Sequence, residues 1–189
     1  MMQKRSPSGF KVKGRSRNEI RREALKTKDA ILTMMHKTSM SDVSAGDLFE
    51  QLSKFGIEYQ IIEDNSEDIK LGVPAAMIGS NLIIRDSVYE GITEGSRRDI
   101  FTLYHEIGHY ILKHERELNR GQIGEHDYYE DSEWQANAFA SEILMPLDEI
   151  IQMLKKQPYI GWVDIYDTFP VSMQTAQYRY DQLVNERFI

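Results

Sequence analysis

Residues 101–114 read FTLYHEIGHYILKH, and residues 130–146 read EDSEWQANAFASEILMP. In the first stretch, Leu103, Tyr104, Ile107 and Ile111, with Ile100 just before, recur at helical spacing. They predict a helix that starts near Ser96, with Asp99 three positions later at its start signal. On such a helix His105 and His109 stand one turn apart on one face, about 6 Å along the axis, so that both imidazoles can approach one tetrahedral ion. Glu106 is turned about 100° from His105, beside such an ion rather than bonded to it, where a general base for an activated water belongs.

The chain has no cysteine among its 189 residues, so thiolate nucleophiles, disulfides and thiolate metal sites are excluded. A metal must then be held by His, Asp or Glu, and a third protein ligand is required beyond the two histidines. The second stretch offers Glu133 and Asn137 as neighbours four apart on a further helix, expected from Ser132, with Gln135 in the capping-box position, to Pro146. The acidic loop before it, with Glu125, Asp127, Glu130 and Asp131, is the alternative source, although such runs are more often solvated. His114 and His126 are expected at the solvated surface, Tyr128 and Tyr129 are possible oxyanion donors, and Trp134, Phe139 and Ile143 read as core.

Outward from this pair, Arg17 to His36 carries Ile20, Ala24, Ile31 and Met35 near one helical face. Leu48, Leu52 and Phe55 suggest a second helix stopped by Gly56. Strand alternation follows at Ile57, Tyr59 and Ile61, and Ala75–Ile78 with Leu82–Arg85 frame a hairpin turn at Gly79–Asn81. Further helices are expected near Leu147–Lys156 and Ser172–Val184. No internal repeat is present. These elements make an α+β chain, with a small antiparallel or mixed sheet packed on the histidine helix and helices at the C-terminal end.

Charge is unevenly spread. The net charge is -7, yet residues 1–28 hold ten Lys or Arg against two Glu, a balance of +8. Residues 1–16 read as a flexible basic arm and 17–189 as one domain whose helical part covers about 147–189. The arm is a possible weak contact for nucleic acid, though a solvated arm is the plainer reading. No apolar run has the length of a signal-peptide core or a membrane span, so a soluble cytoplasmic protein with no membrane partner is expected.

The pair FTLYHEIGH and EWQANAFA, ending in Leu144-Met145-Pro146, resembles the ImmA/IrrE family of zinc metallopeptidases over roughly Ile57–Pro146. Phe169 to Ser172, followed by Ala176 and Arg179, is similar to that family's C-terminal helix, often a helix-turn-helix-like element. The resemblance implies a zincin-like fold, Zn2+ as cofactor, His105, His109 and Glu133 as its ligands, and Glu106 as the catalytic base. It also implies the target class: an endopeptidase acting on a helix-turn-helix repressor of a bacterial or phage system. The alternative is a non-proteolytic regulator that binds a repressor or nucleic acid through the basic arm and C-terminal helices, with a structural or vestigial metal site. The expected binding surface for an extended substrate is an exposed sheet edge near Leu82–Arg85. One departure from the family pattern concerns His114, which stands one position later than the histidine many members carry.

Overall fold

A computed structural model describes residues 8–114 and 126–189. Ser16 caps α1 (Arg17–Met35) with a reciprocal capping box to Glu19, and Ile20, Ala24 and Ile31 face the core. The helix expected over Leu48–Phe55 is two pieces, α2 (Ala45–Phe49) and a 3-10 turn at Leu52–Phe55. Gly56 ends the turn at φ +76°, a backbone region that favours glycine.

Strands β1 (Glu58–Ile62), β2 (Ala75–Ile78) and β3 (Asn81–Arg85) form one sheet in the order β1-β3-β2. β2 and β3 are the predicted antiparallel hairpin, while β1 pairs with β3 in parallel. The expectation that Leu82–Arg85 forms an exposed edge is corrected here, because β3 is the middle strand. Its unbroken run Leu82-Ile83-Ile84 is the pattern of a strand covered on both faces, and all three residues are buried. The free edge beside the histidine helix belongs to β2.

The buried guanidinium of Arg85 at the end of β3 donates to six backbone carbonyls of the β1–β2 connection, Val73 at 2.8 Å and Asp64 at 2.6 Å among them. A buried cation is thus satisfied by peptide dipoles alone, which fixes the loop leading into β2.

Chain order continues through α3 (Asp86–Thr93), α4 (Arg97–Ile111), α5 (Ser132–Leu144), α6 (Leu147–Lys156), α7 (Trp162–Thr168) and α8 (Met173–Asn185). Helices α3 and α7 are unforeseen. Each is eight residues or fewer with one or two buried apolar positions, too few to set a period. Ser96 caps α4 as predicted. The cap of α5 is Asp131 rather than Ser132, and Gln135 is not in a capping box, because its side chain serves elsewhere.

Helices α4 and α5 pack at close range where α4 has no side chain. A Cβ on Gly108 would lie 3.1 Å from the Phe139 ring and 3.3 Å from the Ala136 carbonyl. The glycine between the two histidines therefore sets how near the second helix can come. One apolar cluster then runs from Ile20 to Leu183, through Leu103, Ile107, Phe139 and Ile143.

The other end of α5 is tied by charge. Glu142, 1% exposed, accepts from Arg17 at 2.8 Å, from Arg21 at 3.0 and 3.1 Å and from Arg179 at 2.7 Å through both terminal nitrogens. Burial alone would raise its pKa, but the Arg179 and Arg17 charges and the arginine hydrogen bonds overcome that and hold it at about 2. The clamp joins α1, α5 and α8.

Where a flexible lead-in is expected, residues 9–15 instead run antiparallel to residues 129–132. Val12 N–H donates to the Glu130 carbonyl at 2.8 Å, Arg15 N–H to Tyr129 at 3.0 Å, and Ser132 N–H to Phe10 at 3.1 Å. The tie is made of backbone bonds rather than an apolar stripe, so periodicity does not register it.

The clamp predicts the acid behaviour. Because the folded pKa of Glu142 lies below the unfolded value, its stabilisation is complete above about pH 4.5 and is lost as pH falls through 2. Glu142→Gln, which leaves buried guanidiniums without their anion, is expected to cost roughly 3–5 kcal/mol in urea unfolding at pH 7. It should also flatten the decline of stability between those pH values.

Candidate metal centre

Helix α4 presents His105 and His109 on the face turned to α5, and α5 presents Glu133 in its first turn. The two Nε2 atoms are 3.0 Å apart, and the Glu133 carboxylate lies 3.2 Å from His105 Nε2 and 3.4 Å from His109 Nε2. One atom from each residue falls within 4.8 Å of the others, so the three can hold one metal ion. The fit is quantitative: bonds of about 2.0–2.1 Å to a tetrahedral ion place its ligand atoms about 3.3 Å apart.

Both histidines are oriented from behind. For Nε2 to offer a lone pair, Nδ1 must carry the proton. His105 Nδ1–H then donates to Asn137 Oδ1 at 3.1 Å, one turn along α5 from Glu133. His109 Nδ1–H donates to His114 Nδ1 at 2.9 Å, and His114 Nε2–H donates to Gln135 Oε1 at 3.0 Å. The Gln135 amide ends the chain by donating to the carbonyls of Lys13, at 2.9 Å, and Tyr129, at 2.8 Å. Burial, seconded by the charges of His109 and Arg15, lowers the pKa of His114 to about 4, so it stays neutral and free to accept.

Glu106 is 7% exposed, and its Oε2 accepts from Met77 N–H of β2 at 2.7 Å. Burial raises its pKa, against the pull of His105, His109 and the Met77 amide. Burial would also raise that of Glu133, but the hydrogen bonds from His105 and His109 drive it well below the usual carboxylate range. For His105 the desolvation that favours the neutral ring is outweighed by Glu133 and Glu106, and its pKa rises.

The four residues expected at the site are thus together, while Asp127, Glu130 and Asp131 of the acidic loop are engaged elsewhere. Asp131 caps α5 and accepts from Trp134 N–H at 2.7 Å, Glu130 pairs with Lys11, and Asp127 accepts from the Tyr129 hydroxyl at 2.8 Å. Glu125 lies outside the described residues. Tyr128 is exposed, its ring against Trp134, which is itself only partly buried against the core.

Two expectations are corrected. His114 is not a solvated surface residue, because Lys113 adopts φ +54° and turns the chain back so that His114 N–H reaches the His109 carbonyl at 2.9 Å. On a straight helix the five-residue offset would point it away from His109. The side chain of His126 is buried as well, with Nε2 3.1 Å from Asp131 Oδ2. The roles of Gln135 and Met77 had no sequence signal, since one depends on the fold of residues 9–15 and the other on a backbone amide.

Residues 89–181 match the family model described as IrrE N-terminal-like domain, Peptidase_M78. The match begins in α3 and takes in α4 and α5, leaving α1 and the sheet outside it. No curated protein matches the chain. Among solved structures, a Mycobacterium tuberculosis transcriptional regulator aligns with 85% of this chain and 49% of its own at 16% identity, with a TM-score of 0.42. The chain spans about half the length of that regulator. None of the described helices is long and apolar enough to cross a membrane.

The residues behind the histidines predict a graded loss of metal. His114→Ala and Asn137→Ala, which leave every ligand atom in place, are expected to weaken metal binding by about 10–100-fold in chelator competition. His105→Ala or Glu133→Ala, which leave only two protein ligands, should lose most of the bound metal in the same titration.

Proposed function

We propose that this chain, which carries in residues 89–181 a domain of the IrrE N-terminal-like family, is a zinc-dependent endopeptidase that cuts a peptide bond in a helix-turn-helix transcriptional repressor. The observation that carries the reading is the placement of a fourth residue, the second acidic one. Two imidazoles and a carboxylate converge at 3.0–3.4 Å, while the Glu106 carboxyl is held beside them by a strand amide and spends none of its oxygens on the cluster. A purely structural ion needs no such group.

Zinc suits the donor set of two imidazoles and one carboxylate, and when bound it supplies Lewis acidity that acidifies water and polarises a carbonyl. The chain's own residues do the rest. Glu106, next in sequence to His105 on the same helix, accepts the proton of the attacking water and passes it to the departing amine. Its Met77 bond engages Oε2 and leaves the other carboxyl oxygen for the proton. His105 and His109, locked by Asn137 and His114, hold their positions as charge develops.

The β2 edge is the substrate surface in this reading. Met77 lies on β2, whose free edge borders α4, and an extended peptide added along that edge runs past Glu106 and the two histidines. Backbone pairing of this kind gives affinity with little side-chain selectivity. The repressor as target class rests on the family resemblance, and the cytoplasm is the compartment where such a target resides.

Glu106→Gln tests the assignment because it keeps size and hydrogen bonding but removes the base. Zinc content and thermal midpoint are expected to stay at the wild-type level, while cleavage of a helix-turn-helix repressor substrate falls about 100- to 10,000-fold on gels. A Glu106→Gln protein that relieves repression fully with the repressor uncut would instead establish the non-proteolytic regulator.

A further inference from the structure

The metal ligands are braced by a segment that the family match does not cover. Residues 9–15 pair with residues 129–132 in antiparallel sense, with Lys11 opposite Asp131. At the upper end of this strap Gly9 N–H donates to the Asp131 carboxylate at 2.8 Å, and Phe10 N–H donates to Ser132 Oγ at 3.1 Å. Gly9 is buried directly against the ligand. A Cβ there would lie 2.7 Å from Glu133 N and 2.8 Å from Glu133 Cγ, and nearer still to Ser132 Oγ. Gly9 has no left-handed φ, so its lack of a side chain answers the space and not the backbone. At the lower end, the Lys13 carbonyl accepts from Gln135, the last member of the chain His109–His114–Gln135.

The strap therefore touches both arms of the metal centre, Glu133 by van der Waals contact and His109 through two hydrogen-bonded side chains. From this double contact we infer that residues 9–13 are a positioning strap: they hold Glu133 and His109 at metal-binding separation, so metal retention depends on the N-terminal segment. The inference rests on the zinc reading above. It explains why Gln135 is fully buried although it touches no ligand: its amide is the joint between the strap and the histidine chain. It also gives the basic segment a way to govern activity, since anything that peels residues 9–13 from the α5 N-terminus frees the Glu133 carboxylate to drift from the two imidazoles.

Zinc affinity of the full-length folded protein, read by competition with a chromophoric chelator below the unfolding temperature of the metal-free form, tests the strap. Gly9→Ala adds one methyl against Glu133 and is expected to weaken zinc binding about 10–100-fold, the range for loss of an orienting contact. Val12→Pro removes the N–H that bonds Glu130 without placing any atom near Glu133, and is expected to weaken binding roughly tenfold while the metal-free thermal midpoint moves little. Lys11→Ala, which deletes only an exposed ion pair to Glu130, should leave affinity within about twofold of wild type. Wild-type zinc affinity in both Gly9→Ala and Val12→Pro would overturn the strap and leave the metal centre standing. A wild-type protein that takes up no zinc would overturn the metal centre, and the strap with it.

Discussion

The close packing of α4 against α5 at Gly108 is the constraint on which the rest of the structure depends. Any side chain at that point would press on the Phe139 ring and the Ala136 carbonyl and drive the helices apart. With the helices at this spacing, the first turn of α5 comes level with the two histidines. Glu133 then meets both imidazoles, and Asn137, a turn later, meets the back of His105. A separation larger by even 1 Å would leave the carboxylate short of an ion held by the histidines, because ligand bonds tolerate only about 0.2 Å.

The two ends of α5 carry opposite solutions to the problem of a buried carboxylate. Glu142, about 14 Å along the helix from Glu133, is neutralised by three arginines and made permanent. Glu133 is set against two imidazoles, 3.2 Å from His105 Nε2 and 3.4 Å from His109 Nε2, whose hydrogen bonds hold its carboxyl well below the usual carboxylate range. The arginine clamp ties α5 to α1 and α8, and the strap ties its other end to the chain's start. A helix anchored at both ends presents a ligand with less slack than a loop can, which is the requirement of a centre whose geometry must hold within a fraction of an ångström.

The parts of this molecule that were legible in the sequence are those written in a fixed period or in turn residues. The α4 stripe and the HEIGH spacing follow the helical repeat, the β2–β3 hairpin is marked by its turn residues Gly79–Asn81 between two apolar runs, and all formed where expected. Glu133 was legible at lower precision: its neighbours suggested a helix, but only the resemblance to a known family chose it over the acidic loop. The sheet order was not legible, because the unbroken apolar run of β3 fits an edge or a centre until its partners are known. Nor was the environment of His114, which depends on the left-handed Lys113, a conformation unusual for a side chain of that kind. The strap escaped for a different reason, since backbone hydrogen bonds carry no side-chain pattern.

The central claim is that two imidazoles from α4 and one carboxylate from α5 form a single zinc centre. X-ray absorption at the zinc edge of the stoichiometrically loaded protein tests it most directly. The account predicts a first shell of nitrogen and oxygen alone at about 2.0–2.1 Å, with the outer-shell scattering of two imidazole rings. In Glu133→Ala protein loaded with excess zinc, the same two rings should persist with one protein oxygen replaced by solvent. A spectrum with one or three imidazoles would contradict the account, as would a zinc affinity in Glu133→Ala equal to that of the wild type.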